Sequence, residues 1–372
     1  MNEADVVTLQ HVVAGSTFAI AFVVGIAMSR SNFCTMGAVS DVVNMGEWTR
    51  MRMWLAAIGV AVLGTQGLAW AGLIDPAKSI YAAPRVIWLS HLVGGLMFGF
   101  GMVLASGCGT KTLLRAGAGN LKSLVVFVVL GVSAYMTLRG LFGVARVATV
   151  DRVAIELAGG QDLPRLLAGG DAGTLGAMRL AAALVVGGGL LAFAFASRTF
   201  REERGNAIAS LVVGAGVVAV WYVSGHVGHL DEHPRTLEEA FVGTQSGRME
   251  SLSYVAPTAY LLELLMLWSD TSKYVTLGIA SVLGLVAGST AHALATRSFR
   301  WEGFRGAEDT ANHLVGAVLM GAGGVTALGC TIGQGITGVS TLAIGSFVAL
   351  AAIVAGAVAG LRYQMWRVER MA

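Results

Sequence analysis

From Thr310 to Leu361 the chain runs through 52 residues without one Asp, Glu, Lys or Arg. A membrane-spanning helix takes about 20 residues, so two crossings leave roughly a dozen over. The surplus falls on the stretch from Gly329 to Ser340, where Gly329, Gly333, Gly335 and Gly338 make a poor helix interior. Irregular backbone survives at membrane depth only where protein or a water-filled cavity satisfies its N–H and C=O groups. The stretch therefore predicts a broken or re-entrant segment lining a path, with Cys330 at its lip.

The same stretch has a twin. Residues 91–108 read HLVGGLMFGFGMVLASGC and residues 313–330 read HLVGAVLMGAGGVTALGC. Aligned without a gap at an offset of 222 residues, 10 of the 18 positions are identical. A leading His, glycines in register and a terminal Gly-Cys are not what unrelated apolar helices share by chance. The pattern is an internal repeat.

Of the 372 residues, 55% are hydrophobic and 13% charged, against about 25% charged in a soluble domain. The composition predicts an all-α polytopic membrane protein embedded in a lipid bilayer. Small-xxx-small pairs suited to close helix contact in lipid occur at Gly95–Gly99, Gly284–Gly288 and Gly356–Gly360. The net charge of +3 is spread along loops, which gives no footprint for nucleic acid. The N-terminal MNEADVVTLQHVVAG lacks a basic n-region, so the first helix is expected to be retained.

Nine spans are expected, at roughly 9–29, 53–73, 86–106, 121–138, 175–196, 206–224, 274–295, 311–328 and 339–361, with short broken or re-entrant helices between them. A short amphipathic helix is expected near Val150–Leu157. The apolar run Pro257–Trp268 is too short to span and is expected to be interfacial or half-inserted. The chain reads as a single integral membrane domain over 1–372, with half-repeats at 9–141 and 175–361 joined by a connector at 142–174. Placing the N-terminus outside and the C-terminus in the cytoplasm puts 15 of the 25 Lys and Arg residues inside, Arg297, Arg300 and Arg305 among them. The two Gly-Cys copies then enter from opposite faces, as in inverted repeats that hold their site near the midplane.

There are three cysteines, Cys34, Cys108 and Cys330, and no CxxC. Each follows a long apolar run and stands at a break. A free Cys is often a small buried hydrophobe, but three so placed point to a thiol-lined path. A thiol is a weak donor with a soft sulfur, suited to a soft sulfur-containing solute. Weak contacts at several sites are what conduction needs. Gly107, Gly109, Gly329, Thr331 and Gln334 flank these breaks. The Thr331 hydroxyl and Gln334 amide offer hydrogen bonds to an oxyanion. Lys111, with Arg115 and Lys122, would focus an anion on the first break or simply anchor an inside face.

The runs Arg30-x-x-Phe33-Cys34, HLVGGLMFGFGMVLASGCGTKTLLRAGAGNLKSL from His91, and RSFRWEGF with HLVGAVLMGAGGVTALGCTIGQGITGVSTL resemble the YeeE/YedE-type membrane proteins, which take up thiosulfate and related sulfur compounds. The resemblance covers essentially the whole chain. It implies an hourglass-shaped fold of nine spans with two pseudo-twofold inverted halves. It also implies that the family's three functional cysteines correspond to Cys34, Cys108 and Cys330, and that a cytoplasmic sulfur carrier of the TusA type is a partner. Lys111 and Ala118 depart from the family pattern, in which an uncharged small residue and an acid are expected, and make the cytoplasmic mouth more basic.

Other polar residues divide on the same grounds. His91 and His313 open the twin helices and read as packing or interfacial groups. Glu263 and His292 lie near span ends. His226, His229 and His233, with Asp231 and Glu232, resemble metal ligands on paper but sit in a polar loop, so no metal or other cofactor is expected. Arg198, Arg201 and Arg204, with Glu202 and Glu203, read as a solvated turn. The expected function is uptake of a small reduced-sulfur anion across the bacterial cytoplasmic membrane, without an enzymatic step. Transport of a selenium compound or another sulfur species, or a membrane thiol–disulfide enzyme, are the alternatives.

Overall fold

A computed structural model describes residues 3–157, 159–169, 171–304 and 306–371. Arg305, one of the basic residues counted inside, lies outside them. In chain order the helices are α1 (Glu3–Ser31), α2 (Thr35–Met45), α3 (Thr49–Trp70), α4 (Trp88–Leu104), α5 (Gly109–Gly117), α6 (Leu121–Arg139), α7 (Leu141–Ala148), α8 (Leu163–Leu167), α9 (Ala172–Ala182), α10 (Gly189–Ala196), α11 (Arg198–Glu202), α12 (Arg204–Tyr222), α13 (Ala256–Met266), α14 (Leu277–Ala295), α15 (Ala307–Thr326) and α16 (Ile344–Met371). Wider π turns link α9 to α10, extend α12 and occupy Gly333–Gly338. Strand pairing is confined, among the described residues, to two-residue ladders and single bridges. The protein is an all-α polytopic membrane protein.

Among the described residues, eight segments are long and apolar enough to cross a bilayer. The ninth expected span, 311–328, forms as α15, but Glu308, Asp309, Asn312 and His313 dilute its first turns. That helix is central, packed between α4 and α6. The last expected span begins later and ends later than 339–361. Leu342 takes a left-handed conformation (φ 59°) that holds 341–343 out of the helix. At its far end α16 runs on to Met371, where Arg367 pairs with Glu308 at 2.6 Å. The amphipathic helix expected at Val150–Leu157 is not there: the helix is α7, and Val150–Arg152 is a single tight turn before Ile155–Glu156 pairs with Arg85–Val86. Thr149 (φ −118°, ψ −88°) ends α7 and forbids its continuation. Of the run Pro257–Trp268, residues up to Met266 belong to α13; Pro257, Thr258, Ala259, Leu261, Glu263 and Leu264 are buried, whereas Leu265, Met266, Leu267 and Trp268 are exposed at its end.

The repeat extends well beyond the twin motif. The segment α1–α6 pairs, element by element, with α12, α13, α14, α15, the turn at 333–338 and α16. Contacts come in mates: α1 with α14 and α12 with α3; α16 with α4 and α6 with α15. Within each pair the direction is readable from close approaches. Gly284 and Gly288 meet Phe18 and Phe22, so α14 runs parallel to α1, while Gly214 and Gly64 set α12 parallel to α3 in the same way. The repeat mates α4 and α15 run antiparallel, because Gly94 meets Gly323 and Gly101 meets Gly316. Antiparallel mates are the signature of inverted halves. Helices α9 and α10 pack on α3 and have no mate in this pairing.

Small residues make these approaches possible. A Cβ on Gly99 would fall 2.0 Å from the Ile353 carbonyl oxygen, and one on Gly288 would fall 2.1 Å from that of Phe22. All three small-xxx-small pairs of the sequence lie in such contacts: Gly95–Gly99 and Gly356–Gly360 between α4 and α16, Gly284–Gly288 between α14 and α1. Lipid is as apolar as Leu, so close backbone packing rather than burial of area drives the association.

Candidate functional site

The three cysteines share one local construction. A long helix ends; the residue two before each cysteine is left-handed; the next N–H closes the turn; the cysteine then opens a new segment. The left-handed residues are Asn32 (φ 51°), Ser106 (φ 56°) and Leu328 (φ 59°). The closing bonds run from the N–H groups of Phe33, Gly107 and Gly329 to the carbonyls of Met28, Met102 and Gly324, each five residues back. This is a Schellman-type helix end. Asn tolerates the left-handed region, but Ser and Leu there cost about 1 kcal/mol or more each, a strain that recurs at functional sites.

Two of the thiols cap the segment that they open. Cys34 Sγ accepts the N–H of Gly37 at 3.4 Å, and Cys330 Sγ accepts that of Gly333 at 3.4 Å. Cys108 stands at the same place, before the first turn of α5, without a side-chain cap bond. Cys330 Sγ also faces the N–H groups of Tyr254 and Ile332. Sulfur at a segment's N-terminus sits where partial positive charge favours an anion. The carbonyls orphaned at two of the breaks are also covered. Arg115 donates to Ser106 O at 2.8 Å, while Ala327 O receives Gln334 Nε2 and lies 3.2 Å from His91 Nδ1.

The tertiary fold brings the three breaks together. Cys34 and Cys108 meet side chain to side chain, and Cys108 also meets Thr331. Cys330 lies within electrostatic range of Cys108. All three are free thiols. Cys330 is fully buried rather than at a lip, Cys108 is buried too, and Cys34 is half-buried.

Two cavities approach this row from opposite ends of α14. One, of about 570 Å³, reaches Cys34 and is lined by Asn32, Arg50, Lys111, Arg115 and His292. Lys111 Nζ donates to Asn32 Oδ1 at 3.1 Å across it. We call it the basic vestibule. A further cavity of about 530 Å³ adjoins it, sharing Ser106, Arg115, Ala118 and Ser298. The other, of about 190 Å³, reaches Gly329 and is lined by Arg146, Gln245, Glu250, Ser253 and Tyr260. We call it the narrow vestibule. Gly278 lines one and His292 the other, about 21 Å apart along α14.

Of the flanking residues, Gly107 stands 3.3 Å, as an imagined Cβ, from the Lys111 side chain, and Gly109 is loosely surrounded, with Val255 3.9 Å away. A Cβ on Gly329 would fall 3.0 Å from the Gln334 N atom. The Gln334 amide is spent on Ala327 O; its Oε1, an acceptor, has no partner among the described residues, so the side chain faces an oxyanion with the wrong end. The Thr331 hydroxyl lies near Cys108 and, like that of Tyr254, has no hydrogen-bond partner among the described residues.

Sequence reasoning missed the other side of Cys330. Tyr81 and Tyr254 are both buried beside it, and Tyr81 lies close to Ser253. An imagined Cβ on Gly333 would lie 2.5 Å from Ser253 Oγ and 3.5 Å from Tyr81 Oη. The Tyr254 hydroxyl has no partner among the described residues, an exception that buried polar groups rarely make. Tyr81 belongs to the 71–87 connector, which no periodicity marks as returning to the centre.

The remaining polar candidates have local roles. His226 stacks on Tyr222, His229 meets Glu239 at 2.6 Å, and His233 Nδ1 accepts the Arg235 N–H. Among the described residues no three metal-capable side chains gather. Glu263 pairs with Lys273 at 2.7 Å, Arg198 with Glu202 at 2.8 Å, and His313 with Asp309 at 3.1 Å.

A family model described as "Sulphur transport" matches residues 30–359. The chain is 29% identical over 341 residues to the thiosulfate transporter TsuA of Escherichia coli K12, spanning 84% of this chain and 83% of that protein. It is 25% identical over 337 residues to the thiosulfate transporter TsuA of Spirochaeta thermophila, spanning 89% of this chain and 92% of that one. A shorter match of 103 residues, 30% identical, relates it to 23% of the probable transporter YedE of Escherichia coli. These relatives are named as transporters.

Proposed function

The chain belongs to the sulphur transport family, and we propose that it carries thiosulfate, or a closely related small reduced-sulfur anion, inward across the cytoplasmic membrane. The observation that carries this reading is the row of three free thiols, each at a helix break, between two vestibules. Thiosulfate has a soft terminal sulfur and a hard oxyanion end. The thiols offer weak S–H contacts to the first, and the N–H groups gathered at Cys330 suit the second. Cys330 receives the ion from the narrow vestibule, Cys108 takes it at the centre, and Cys34 releases it to the basic vestibule beside Lys111. The flanking glycines, Gly107, Gly109 and Gly329, let backbone approach the ion.

In this orientation the N-terminus is outside and the basic vestibule faces the cytoplasm, in agreement with the Lys and Arg distribution. Moving a dianion inward against a negative-inside potential costs about 4.6 kcal/mol per 100 mV. Consumption on the inner side drives the flux, and a cytoplasmic sulfur carrier of the TusA type is the consumer this reading implies.

The test is uptake of radiolabelled thiosulfate in a strain lacking its own routes, with Cys330→Ala and Cys108→Ala expressed to equal level. Each is expected to lose at least about tenfold, the equivalent of one lost contact of about 1.4 kcal/mol. Undiminished uptake in both would remove the thiol relay.

A further inference from the structure

The charge cost of dianion entry directs attention to the narrow vestibule, because a carboxylate stands in it. Glu250 lies in the loop between α12 and α13, three residues before Ser253. It is the one acid among the residues lining that cavity, whose walls are otherwise Arg146, serines, Gln245 and apolar groups such as Ile80, Leu138 and Val325. The site is built rather than incidental. Glu250 accepts the Ser246 N–H at 2.8 Å, and its own carbonyl receives the Ser224 hydroxyl, so both ends of the residue are held.

No cation forms an ion pair with Glu250 among the described residues. The nearest candidate, Arg146 on α7, lines the same cavity but pairs with Asp151 at 3.3 Å. The other titratable groups facing Glu250 are the phenols of Tyr81, Tyr260 and Tyr274, which ordinarily ionise near pH 10, with Arg139 beyond Tyr260. An ionised carboxylate left without a cation, on the approach to Cys330, repels a dianion strongly in so enclosed a space. A neutral carboxyl does not, and its O–H becomes a donor.

Resting on the transport reading above, we infer that Glu250 is a proton-binding site of the transporter, and that its protonation admits the sulfur anion to the narrow vestibule. The ligand is the proton, and the anion is its partner. Coupling is reciprocal: whatever factor protonation adds to anion affinity, the bound anion adds to proton affinity. Burial already raises the proton affinity of Glu250 above that of an ordinary glutamate, against the opposing pull of the Ser246 hydroxyl and the Ser246 and Gln245 N–H groups. The admitting form is the protonated one, so uptake is full below the pKa of Glu250 and falls by about tenfold per pH unit above it. The basic vestibule, lined by Arg50, Lys111 and Arg115 and no acid, has no such device.

The experiment measures initial rates of labelled thiosulfate uptake from about pH 5 to about pH 8. Wild type is expected to fall as the pH rises through the pKa of Glu250. Glu250→Gln is expected to stay within about twofold across it, and Glu250→Asp, which restores a carboxyl, to recover the slope. A Glu250→Gln protein with the wild-type slope, or a pH-independent wild type, overturns the inference and leaves transport standing. A wild type without uptake at any pH overturns the transport reading and this one with it. Should Glu250→Gln fail to reach the membrane, proton uptake by purified wild-type protein on adding thiosulfate in weak buffer decides. About one proton bound per anion is expected, and none overturns the inference.

Discussion

The two vestibules are built by the same hairpin used twice in opposite directions, yet they treat charge differently. Three residues past each central Gly-Cys stands Lys111 on one side and Gly333 on the other; seven past, Arg115 and Thr337. The backbone is the same in both, down to the left-handed residue two before the cysteine and the bond closed five residues back. The surroundings are not. Helix α1 runs straight into its break at Cys34, whereas α12 is separated from α13 by the loop at 228–255, which brings Glu250, Ser253 and Tyr254 to Cys330. The result is a wide cavity of about 570 Å³ with three cationic side chains and a tight one of about 190 Å³ with one carboxylate. Symmetry fixes where the thiols stand; departures from symmetry make the two ends of the row unlike.

The hardest test of this comparison is at its centre. Cys108 stands between Cys34 and Cys330, so Cys108→Ala breaks the row on both sides at once. At about 1.4 kcal/mol for each side, the loss is about a hundredfold in uptake, measured beside Cys34→Ala, which breaks it on one and is expected to lose about tenfold. Equal losses would mean that the thiols act singly and that the row has no centre.

Next in size is the exchange across the repeat. Gly333→Ala sets a Cβ 2.5 Å from Ser253 Oγ, in the narrow vestibule only. Ser253 can move into the cavity it lines, which relieves the clash, so melting in detergent is expected to change little while the narrowed cavity lowers uptake roughly tenfold. Gly107→Ala, at the basic mouth, meets only the flexible Lys111 side chain at 3.3 Å and is expected to lose less than about twofold. The reverse ranking would place the constriction at the basic mouth.

How far this asymmetry is legible in the sequence differs from residue to residue. The 222-residue offset and the charge-free stretch suffice for the membrane class, and the three small-xxx-small pairs all lie where α4 meets α16 and α1 meets α14. The breaks are visible where glycine marks them. Leu328 is not, since nothing about a leucine announces a positive φ; only its twin position to Ser106 hints at it. In the sequence Gln334 reads as a donor for an oxyanion, but a helix end leaves carbonyls unsatisfied, and Ala327 O claims its amide. Tyr81 and Glu250 belong to connectors between helices. Periodicity reports which face of a helix is buried. It does not report which loop folds back between helices, and here that loop sets the chemistry of the narrow mouth.

The smallest effect lies in the basic vestibule. Lys111 carries its charge on a flexible stem beside Asn32, facing a cavity large enough to be solvent-filled. Across such water a single cation attracts a dianion by about 1 kcal/mol, so Lys111→Gln is expected to lower uptake about fivefold. Screening separates this from a packing role. The Debye length falls from about 10 Å at 0.1 M to about 3 Å at 1 M salt, so the gap between wild type and Lys111→Gln should narrow as salt rises inside proteoliposomes. Glu250→Gln, a switch of protonation in an enclosed site, should respond far less to salt. A Lys111→Gln deficit that stays constant with salt would assign Lys111 to holding Asn32 and the break before Cys34, and the two mouths would then differ in shape alone.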